Sequence, residues 1–305
     1  MKVKIVEVGP RDGLQNETEI LPTEVKIQLI HKLAGAGLTS IEATSFVSPR
    51  WIPQLADAEE VLTGIERRPG VVYSALVPNL RGLERARASG LTEVAVFMSA
   101  SETHNRKNIN KSIEDTLPVL QEVTREAIAL GMRVRGYVST VFGCPYEGKV
   151  PIENSRRIVR ELLTMGVYEV SLGDTIGVAT PKQVLEVCEV LAQDVPTRQL
   201  AGHFHNTRGT GLANVLAALE AGIRTFDSSI GGLGGCPYAP GAAGNISTED
   251  LVYMLHGMDY DTGIDQTRLL EAGLYVQKQL GRELDSKVLK AHQVAKQFDE
   301  IGGCR

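Results

Sequence analysis

Two histidines separated by one residue, His203 and His205, give the clearest indication of chemistry in this 305-residue sequence. They lie in a short apolar stretch typical of a β-strand, and alternate side chains of a strand point to the same face. Neutral imidazole is the commonest metal ligand among side chains, so such a pair can share a cation. The competing interpretation is that one or both are interior histidines with ordinary hydrogen-bond partners. Carboxylate and amide side chains at other predicted strand ends favour the metal site.

Arg11 and Asp12 form a second candidate site, because they place a fixed cation beside an anion in a polar turn. A guanidinium stays charged at working pH and can stabilise a developing oxyanion. The alternative is a surface arginine paired with Glu42 or Glu17. Glu42 lies within a predicted strand, where a buried carboxylate needs a partner. We therefore predict an Arg11–Glu42 pair.

Asp174 and Cys236 are further candidates, and each has more than one interpretation. Asp174 follows a predicted strand and is an acid–base group, a group that supports the ligands, or a helix N-cap. Cys236 lies in the glycine-rich segment 231–245. Its thiol can relay a proton, or it is a small apolar residue in a tight turn.

The elements that position these residues are eight predicted strands alternating with helices, at spacings of about 20–40 residues. The strands are predicted at residues 3–8, 40–46, 71–77, 93–98, 133–141, 168–172, around His203, and at 224–230. This number and size match an α/β (β/α)₈ TIM barrel. A doubly wound sheet is the alternative, but it would spread out the polar strand ends that a barrel gathers in one mouth.

One TIM-barrel domain is expected over residues 1–305. The barrel takes up about residues 1–260, and additional C-terminal helices follow at about 261–305. These helices are expected to cover the mouth or to make a subunit contact. The polar segment 99–112 is expected to be an exposed functional loop.

Composition excludes several classes of protein. The net charge of −5 gives no electrostatic case for binding nucleic acid or an anionic membrane. The four cysteines, at positions 144, 188, 236 and 304, are far apart and suit a reducing compartment. No apolar run reaches the roughly 18 residues of a membrane span, and the first residues resemble a core strand rather than a targeting segment. A cytoplasmic protein is therefore expected.

In a closed barrel, strands seven, eight and one are neighbours. That arrangement brings together His203, His205, Asp12 and Asn245. This mixed nitrogen and oxygen set suits Mg²⁺, Mn²⁺ or a similar ion with open positions better than a closed structural zinc site.

Six stretches resemble the 3-hydroxy-3-methylglutaryl-CoA lyase family, from residue 3 to about residue 290. They are VEVGPRDGLQNE, IEATSFVSPRW, VRGYVS with GCPYEGK, EVSLGDTIGVATP, HFHNT and SSIGGLGGCPYAPGAAGNISTEDLVYML. The RDGxQ and HxH motifs alone also match isopropylmalate and homocitrate synthases and carboxyltransferase domains. The loop around Cys236 is more specific to the lyases.

The resemblance implies a TIM barrel that cleaves 3-hydroxy-3-methylglutaryl-CoA to acetyl-CoA and acetoacetate, a reaction of leucine degradation. It implies a divalent metal held by Asp12, His203, His205 and Asn245, and a homo-oligomer, either a dimer or a tetramer. The catalytic residues it implies are Arg11, Glu42, Asp174, His203 and Cys236. Substrate-binding residues are expected to be Arg11, Gln15, Tyr137, Thr175 and Asn108. The segment around Asn108 either meets the CoA phosphates or is a solvated loop.

In the implied mechanism, His203 or Asp174 takes the hydroxyl proton, Arg11 holds the enolate oxygen and Cys236 protonates the enolate carbon. Three residues depart from the family pattern. Asn206 and Arg208 follow the HxH motif, and His104 lies in the 99–112 segment. They leave open a related acyl group, citramalyl-CoA or a 3-hydroxy-3-alkylglutaryl-CoA. A Claisen-type acyl-CoA/2-oxo acid synthase and a non-catalytic metal-binding protein are the competing functions.

Overall fold

Eight parallel strands close into a barrel in the order β1 to β8 in this computed structural model, which describes residues 1–235 and 244–300. The strands are β1 Lys4–Glu7, β2 Ser40–Ser45, β3 Val72–Leu76, β4 Glu93–Ser99, β5 Arg133–Ser139, β6 Glu169–Asp174, β7 Leu200–Phe204 and β8 Thr225–Ser228. The TIM barrel predicted from the sequence is confirmed, and the doubly wound alternative is wrong.

Helices surround the barrel and complete the α/β pattern. The helices among the described residues are α1 Thr23–Gly35, α2 Ala58–Gly64, α3 Leu80–Ala88, α4 Glu102–Ile109, α5 Ile113–Ala129, α6 Ile152–Thr164, α7 Pro181–Ala192, α8 Gly211–Glu220, α9 Thr248–Gly257, α10 Gln266–Leu280 and α11 Lys287–Glu300. None of the described helices combines the length and the apolar character that crossing a membrane requires.

Successive side chains of a barrel strand point in opposite directions, toward the surrounding helices or toward the barrel interior. On β5, Val134 and Val138 belong to the main hydrophobic core, and Arg135 and Tyr137 take the alternate positions. Tyr137 belongs instead to a small apolar cluster with residues of β3 and β4. Buried charged side chains lie on several of the other strands, among them Glu42, Glu169 and Asp227. The interior therefore has an apolar side near β3–β4 and a charged side.

Pairing of β1 with β8 closes the barrel, with Lys4 opposite Thr225 and Glu7 opposite Ser228. This closure makes the turn after β1 a neighbour of the ends of β7 and β8. A cation site built from both ends of the sequence requires this arrangement.

The segment 99–112 differs from its prediction, because it contains helix α4 rather than an exposed loop. Ser101 caps the helix by accepting the backbone N–H of His104 at 3.2 Å. His104 is 3% exposed and Asn105 is fully buried. Asn105 Nδ2 donates to Thr116 Oγ1 at 2.8 Å, and its Oδ1 accepts the N–H of Ser99. These two polar residues are buried because they have hydrogen-bond partners, which composition does not reveal, while residues 106–108 are exposed.

The C-terminal helices pack on the outside of the barrel, with α10 against α1 and α9, and α11 against α9. The connection between α10 and α11 reaches the mouth. Arg282 Nη2 lies 2.6 Å from Glu17 Oε1, and the N–H of Asp285 donates to the carbonyl of Gly231. This part of the chain therefore supports the loop that follows β8.

Candidate active site

Three potential metal ligands, Asp12, His203 and His205, meet at the mouth of the barrel. Their ligand atoms all lie within 4.8 Å of one another. The two Nε2 atoms are 3.4 Å apart, and His203 Nε2 is 3.9 Å from Asp12 Oδ2. Asn245 joins the group, since its Nδ2 lies 2.8 Å from the same Asp12 oxygen. The structure thus brings together all four residues of the predicted ligand set.

A tight turn after β1 positions Asp12. The carbonyl of Val8 accepts the N–H groups of Arg11, Asp12 and Gly13 at 3.1, 2.7 and 3.2 Å. Gly13 is required there, because a Cβ atom would lie 2.8 Å from both Leu233 Cβ and Ser229 Oγ. The turn therefore packs directly on the residues that follow β8.

The segment after β8 is tied to β7 by backbone hydrogen bonds. The N–H of Ile246 donates to the Phe204 carbonyl at 3.1 Å, and the N–H of Asn206 donates to the Gly244 carbonyl at 2.7 Å. His205 and Asn245 are partners in the resulting bridge. This pairing fixes Asn245 beside the histidines, although Asn245 is 40 residues beyond His205 in the chain.

The donor set fits a divalent cation. Burial and then the neighbouring His203 lower the pKa of His205 to about 4, so this imidazole is neutral at pH 7. Burial alone would raise the pKa of Asp12, but Arg11 and the two histidines outweigh it and lower the pKa to about 2. His205 Nδ1 is buried and has no hydrogen-bond partner among the described residues. Two imidazole nitrogens that face each other beside an ionised carboxylate form a binding site for a metal.

His203 is oriented by an aspartate that we did not predict from the sequence. Its Nδ1 lies 3.1 Å from Asp227 Oδ2, and Asp227 also accepts the hydroxyl of Ser171 at 2.6 Å. Burial lowers the pKa of His203, but the hydrogen bond and charge of Asp227, together with the charge of Asp12, outweigh it and raise the pKa above its usual value. A metal-binding histidine is commonly held by a carboxylate on its other nitrogen. The polar alternation of residues 225, 227 and 229 on the eighth strand was the available signal.

Arg11 pairs with Glu42 through its Nε atom and with Asp12 through its Nη1 atom, as the sequence predicted for Glu42. Tyr137 donates its hydroxyl to the other oxygen of Glu42 at 2.5 Å. The Arg11 guanidinium also lies 5.3 Å from the centre of the Tyr137 ring. The interpretation of Arg11 as a surface arginine is wrong, because it is only 6% exposed.

Asp174 ends β6 and is 1% exposed. The N–H groups of Val178 and Ala179 donate to its carboxylate at 2.9 and 3.2 Å. Burial raises its pKa to about 6, although these bonds oppose the shift. The interpretation as a helix N-cap is wrong, because Thr180 caps α7. Asp174 instead holds the loop after β6.

Of the remaining predicted site residues, Gln15 contacts the group of proposed metal ligands directly. Gln15 Nε2 donates to Asp12 Oδ1 at 3.0 Å, and Thr175 Oγ1 accepts the N–H of Thr140 at 2.8 Å. Asn108 is exposed on α4. Cys236 lies outside the described residues.

Arg208 and Asn206, two of the three residues that depart from the family pattern, form hydrogen bonds with loop backbone at the mouth. Arg208 Nη1 donates to the carbonyls of Ile176 and Gly177 at 2.7 and 3.1 Å, which ties the β7–α8 loop to the β6–α7 loop. Asn206 Oδ1 accepts the N–H of Gly211 at 3.1 Å. The third departure, His104, is buried against Ser99, 2.6 Å from its hydroxyl oxygen.

Comparisons with known proteins agree with this geometry. The model of the HMGL-like family matches residues 2–276. The mitochondrial hydroxymethylglutaryl-CoA lyase of Bos taurus is 54% identical over 290 residues, which cover 95% of this chain and 89% of that protein. The crystal structure of the Bacillus subtilis HMG-CoA lyase is 54% identical, with a TM-score of 0.95 and coverage of 96% of this chain and 98% of that one.

An HMG-CoA lyase from Acinetobacter baumannii, solved in complex with coenzyme A and 3-methylmalate, is 43% identical with a TM-score of 0.91. The match covers 95% of this chain and 95% of the Acinetobacter chain. The carboxyl transferase domain of Rhizobium etli pyruvate carboxylase is 20% identical with a TM-score of 0.66, a likeness of fold alone.

Proposed function

The chain belongs to the HMGL-like family, and we propose that it is a carbon–carbon lyase that cleaves 3-hydroxy-3-methylglutaryl-CoA to acetyl-CoA and acetoacetate. The observation that carries the proposal is the convergence of Asp12, His203 and His205 next to a buried arginine. Relatives named hydroxymethylglutaryl-CoA lyase match nearly the whole chain. They support the acyl group as well as the reaction class, over citramalyl-CoA or a larger 3-hydroxy-3-alkylglutaryl-CoA.

Asp12, His203, His205 and Asn245 would hold a divalent cation, Mg²⁺ or Mn²⁺. When bound, the cation supplies Lewis-acid chemistry that lowers the pKa of the tertiary hydroxyl of the substrate. His203 is hydrogen-bonded to Asp227 through Nδ1 and would bind the ion through Nε2, so neither nitrogen is free to take a proton. We therefore propose Asp174 as the acceptor of the hydroxyl proton.

Loss of that proton lets the C2–C3 bond break. Its electron pair passes into the thioester, which becomes an enolate, while C3 becomes the ketone of acetoacetate. Arg11 would stabilise the negative charge that builds on the enolate oxygen, because it is a buried cation already fixed by Glu42 and Asp12. Cys236 would donate a proton to the enolate carbon and complete acetyl-CoA. Gln15, Tyr137 and Thr175 would border the acyl group, and Asn108 would meet the CoA.

The test is an acetyl-CoA release assay with Mg²⁺ or Mn²⁺, in which 3-hydroxy-3-methylglutaryl-CoA and citramalyl-CoA are offered in parallel and EDTA serves as the control. We expect EDTA-sensitive turnover of the first substrate. Turnover of citramalyl-CoA alone would overturn the acyl assignment and keep the reaction class. Metal binding without acetyl-CoA release from either substrate would favour a synthase or a binding protein.

The organisation of the molecule is part of the proposal. We propose one domain, with the barrel up to about residue 260 and a helical extension after it, because residues of α10 and α11 share the main core. A homo-oligomer and a cytoplasmic location also stay predictions. Light scattering after size-exclusion chromatography measures the first, and fractionation of the source cells measures the second.

A further inference from the structure

Arg135 lies inside the barrel on β5 and is only 2% exposed. Its Nε donates to Glu169 Oε1 at 2.7 Å, and its Nη1 donates to the hydroxyl oxygen of Tyr137 at 2.9 Å. Its Nη2 forms an ion pair with Asp227 Oδ1 at 2.8 Å, without the alignment of a hydrogen bond. One guanidinium thus contacts the residues from which two hydrogen-bond chains lead to the active site.

The first chain leads to Arg11. An arginine only donates hydrogen bonds, so the Tyr137 oxygen accepts from Arg135 and its own proton must point elsewhere. That proton goes to Glu42 Oε2, 2.5 Å away. Glu42 therefore remains an acceptor, and its other oxygen is available to hold Arg11.

The second chain leads to the metal ligands. Asp227 Oδ1 lies against the Arg135 guanidinium, so Asp227 Oδ2 is left to accept the hydroxyl of Ser171 and to face His203 Nδ1. His203 then carries its proton on Nδ1, and its Nε2 presents a lone pair toward Asp12 and His205. The tautomer that can bind a cation is thus fixed through Asp227.

We propose that Arg135 is a positioning residue that sets the direction of hydrogen bonding in both chains, and so orients the metal-binding histidine and the enolate-stabilising arginine together. This inference rests on the proposed function for the role of Arg11, but not for the affinity of the metal site. Partners of metal ligands commonly change metal affinity by 10–100-fold when they are removed.

The test measures Mn²⁺ binding to the full chain by electron paramagnetic resonance of free Mn²⁺, with no substrate present, and then turnover at saturating Mn²⁺. For Arg135→Met we expect the Mn²⁺ dissociation constant to rise by about 10–100-fold and kcat to fall by about tenfold or more. Asp227→Asn should weaken Mn²⁺ binding, whereas Tyr137→Phe should lower kcat and leave Mn²⁺ binding within about twofold. In the Asp227→Asn background, Arg135→Met should add less than about threefold to the loss of affinity, because the two residues act through one chain.

Glu169→Gln is the matched control. Glu169 contacts the same guanidinium, but its other partners are Lys4 and Thr225, at the opposite end of the barrel from the mouth. We expect its Mn²⁺ affinity to stay within about twofold of the wild type, even if its melting temperature falls. A purely structural role of Arg135 predicts equal effects on affinity for both variants.

An Arg135→Met protein that folds and binds Mn²⁺ within threefold of the wild type would overturn the inference. If that variant does not fold by circular dichroism, Arg135→Lys replaces it, since a lysine keeps the charge but cannot contact all three partners. Loss of Mn²⁺ affinity in Arg135→Lys supports the inference, and wild-type affinity there overturns it. A wild-type protein that binds Mn²⁺ but releases no acetyl-CoA overturns the proposed function alone.

Discussion

Arg11 is the residue with the greatest expected effect on the reaction. Its charge is preorganised, because Glu42 and Asp12 hold the guanidinium in a site that is nearly closed to solvent. A donor fixed in this way needs no reorganisation when charge develops on the substrate. The same carboxylates would lose their counterion if the guanidinium were removed, so activity and stability have to be measured together.

We predict that Arg11→Gln lowers kcat by about 10²-fold or more, the range seen when a single oxyanion donor is lost. Acetyl-CoA release under saturating substrate measures this effect. Arg125→Gln is the control, because Arg125 is 70% exposed on α5. Near-full turnover by a folded Arg11→Gln protein would contradict the mechanism.

The sequence located the proposed metal ligands better than the residues that orient them. His203 and His205 could be found because strand alternation alone puts them on one face. Asp227 and Arg135 were not predicted, because their importance comes from partners on other strands. Arg135 contacts β6 and β8, and a linear pattern contains no information on those contacts.

At the scale of elements, α4 shows the limit of polarity as a guide to exposure. The segment reads as a solvated loop, yet Asn105 lies at its centre and joins three backbone or side-chain groups of the β4–α5 connection. Strand positions, by contrast, agree with prediction to within a few residues, because each combines an apolar run with a clear turn signal.

Two asparagines of α4 offer a matched pair of variants. Asn105→Ala should destabilise the protein by about 1–3 kcal/mol, because it leaves buried groups without a hydrogen-bond partner. Asn108→Ala should change stability by less than about 0.5 kcal/mol, since Asn108 is exposed, and should raise KM for the acyl-CoA. Urea denaturation and steady-state kinetics separate the two results, and equal stability of both variants would refute the packed role of Asn105.

The short turn Ile230–Gly232 after β8 rests on two buried carboxylates. Glu7 accepts the N–H of Ile230 at 2.8 Å, and Glu249 accepts the N–H of Gly231 at 2.8 Å. Burial raises the pKa of Glu7 to about 7 and that of Glu249 to about 8. The folded protein therefore holds protons that the unfolded chain releases above about pH 4.5. This contribution to stability is fully present below pH 4.5 and is lost as the pH rises toward 8.

We predict that the free energy of unfolding of the Glu249→Gln variant increases relative to that of the wild type as the pH rises. A glutamine oxygen can still accept the N–H of Gly231, and it carries no charge to desolvate. Between pH 5 and pH 8 the difference in unfolding free energy should shift by about 3–4 kcal/mol in favour of the variant. Chemical denaturation at both pH values measures the shift, with the exposed Glu122→Gln as control. A difference that does not depend on pH would show that Glu249 is ionised in the folded protein throughout.

At the scale of the whole molecule, the division of the barrel interior matters most. Apolar side chains of β3, β4 and Tyr137 fill one side, and ionic and hydrogen-bond networks occupy the other. Both ends of the chain contribute to the charged side through the β1–β8 pairing. The barrel itself could be predicted from the sequence, because eight strand–helix units in about 260 residues match it. The internal networks depend on contacts across the barrel and could not.

Metal binding should stabilise the whole fold. A ligand that binds only the folded protein, at a concentration 100 times its Kd, adds about 2.7 kcal/mol. We predict that Mn²⁺ raises the melting temperature by several degrees and that EDTA reverses the effect. His205→Ala should abolish the shift, while the exposed His256→Ala should keep it. A shift that persists in His205→Ala would place the ion elsewhere.

Asp12 and Asn245 are separated by 233 positions, yet their side chains touch. On the ribosome, the first strand and Asp12 emerge long before the residues that complete the ring. Until β8 has been synthesised and has paired with β1, the four ligands cannot be assembled. We therefore expect cation capture at the proposed site to be a late event in biosynthesis, and we expect a prematurely terminated chain that lacks residues beyond β8 to be unable to acquire the ion in the same way.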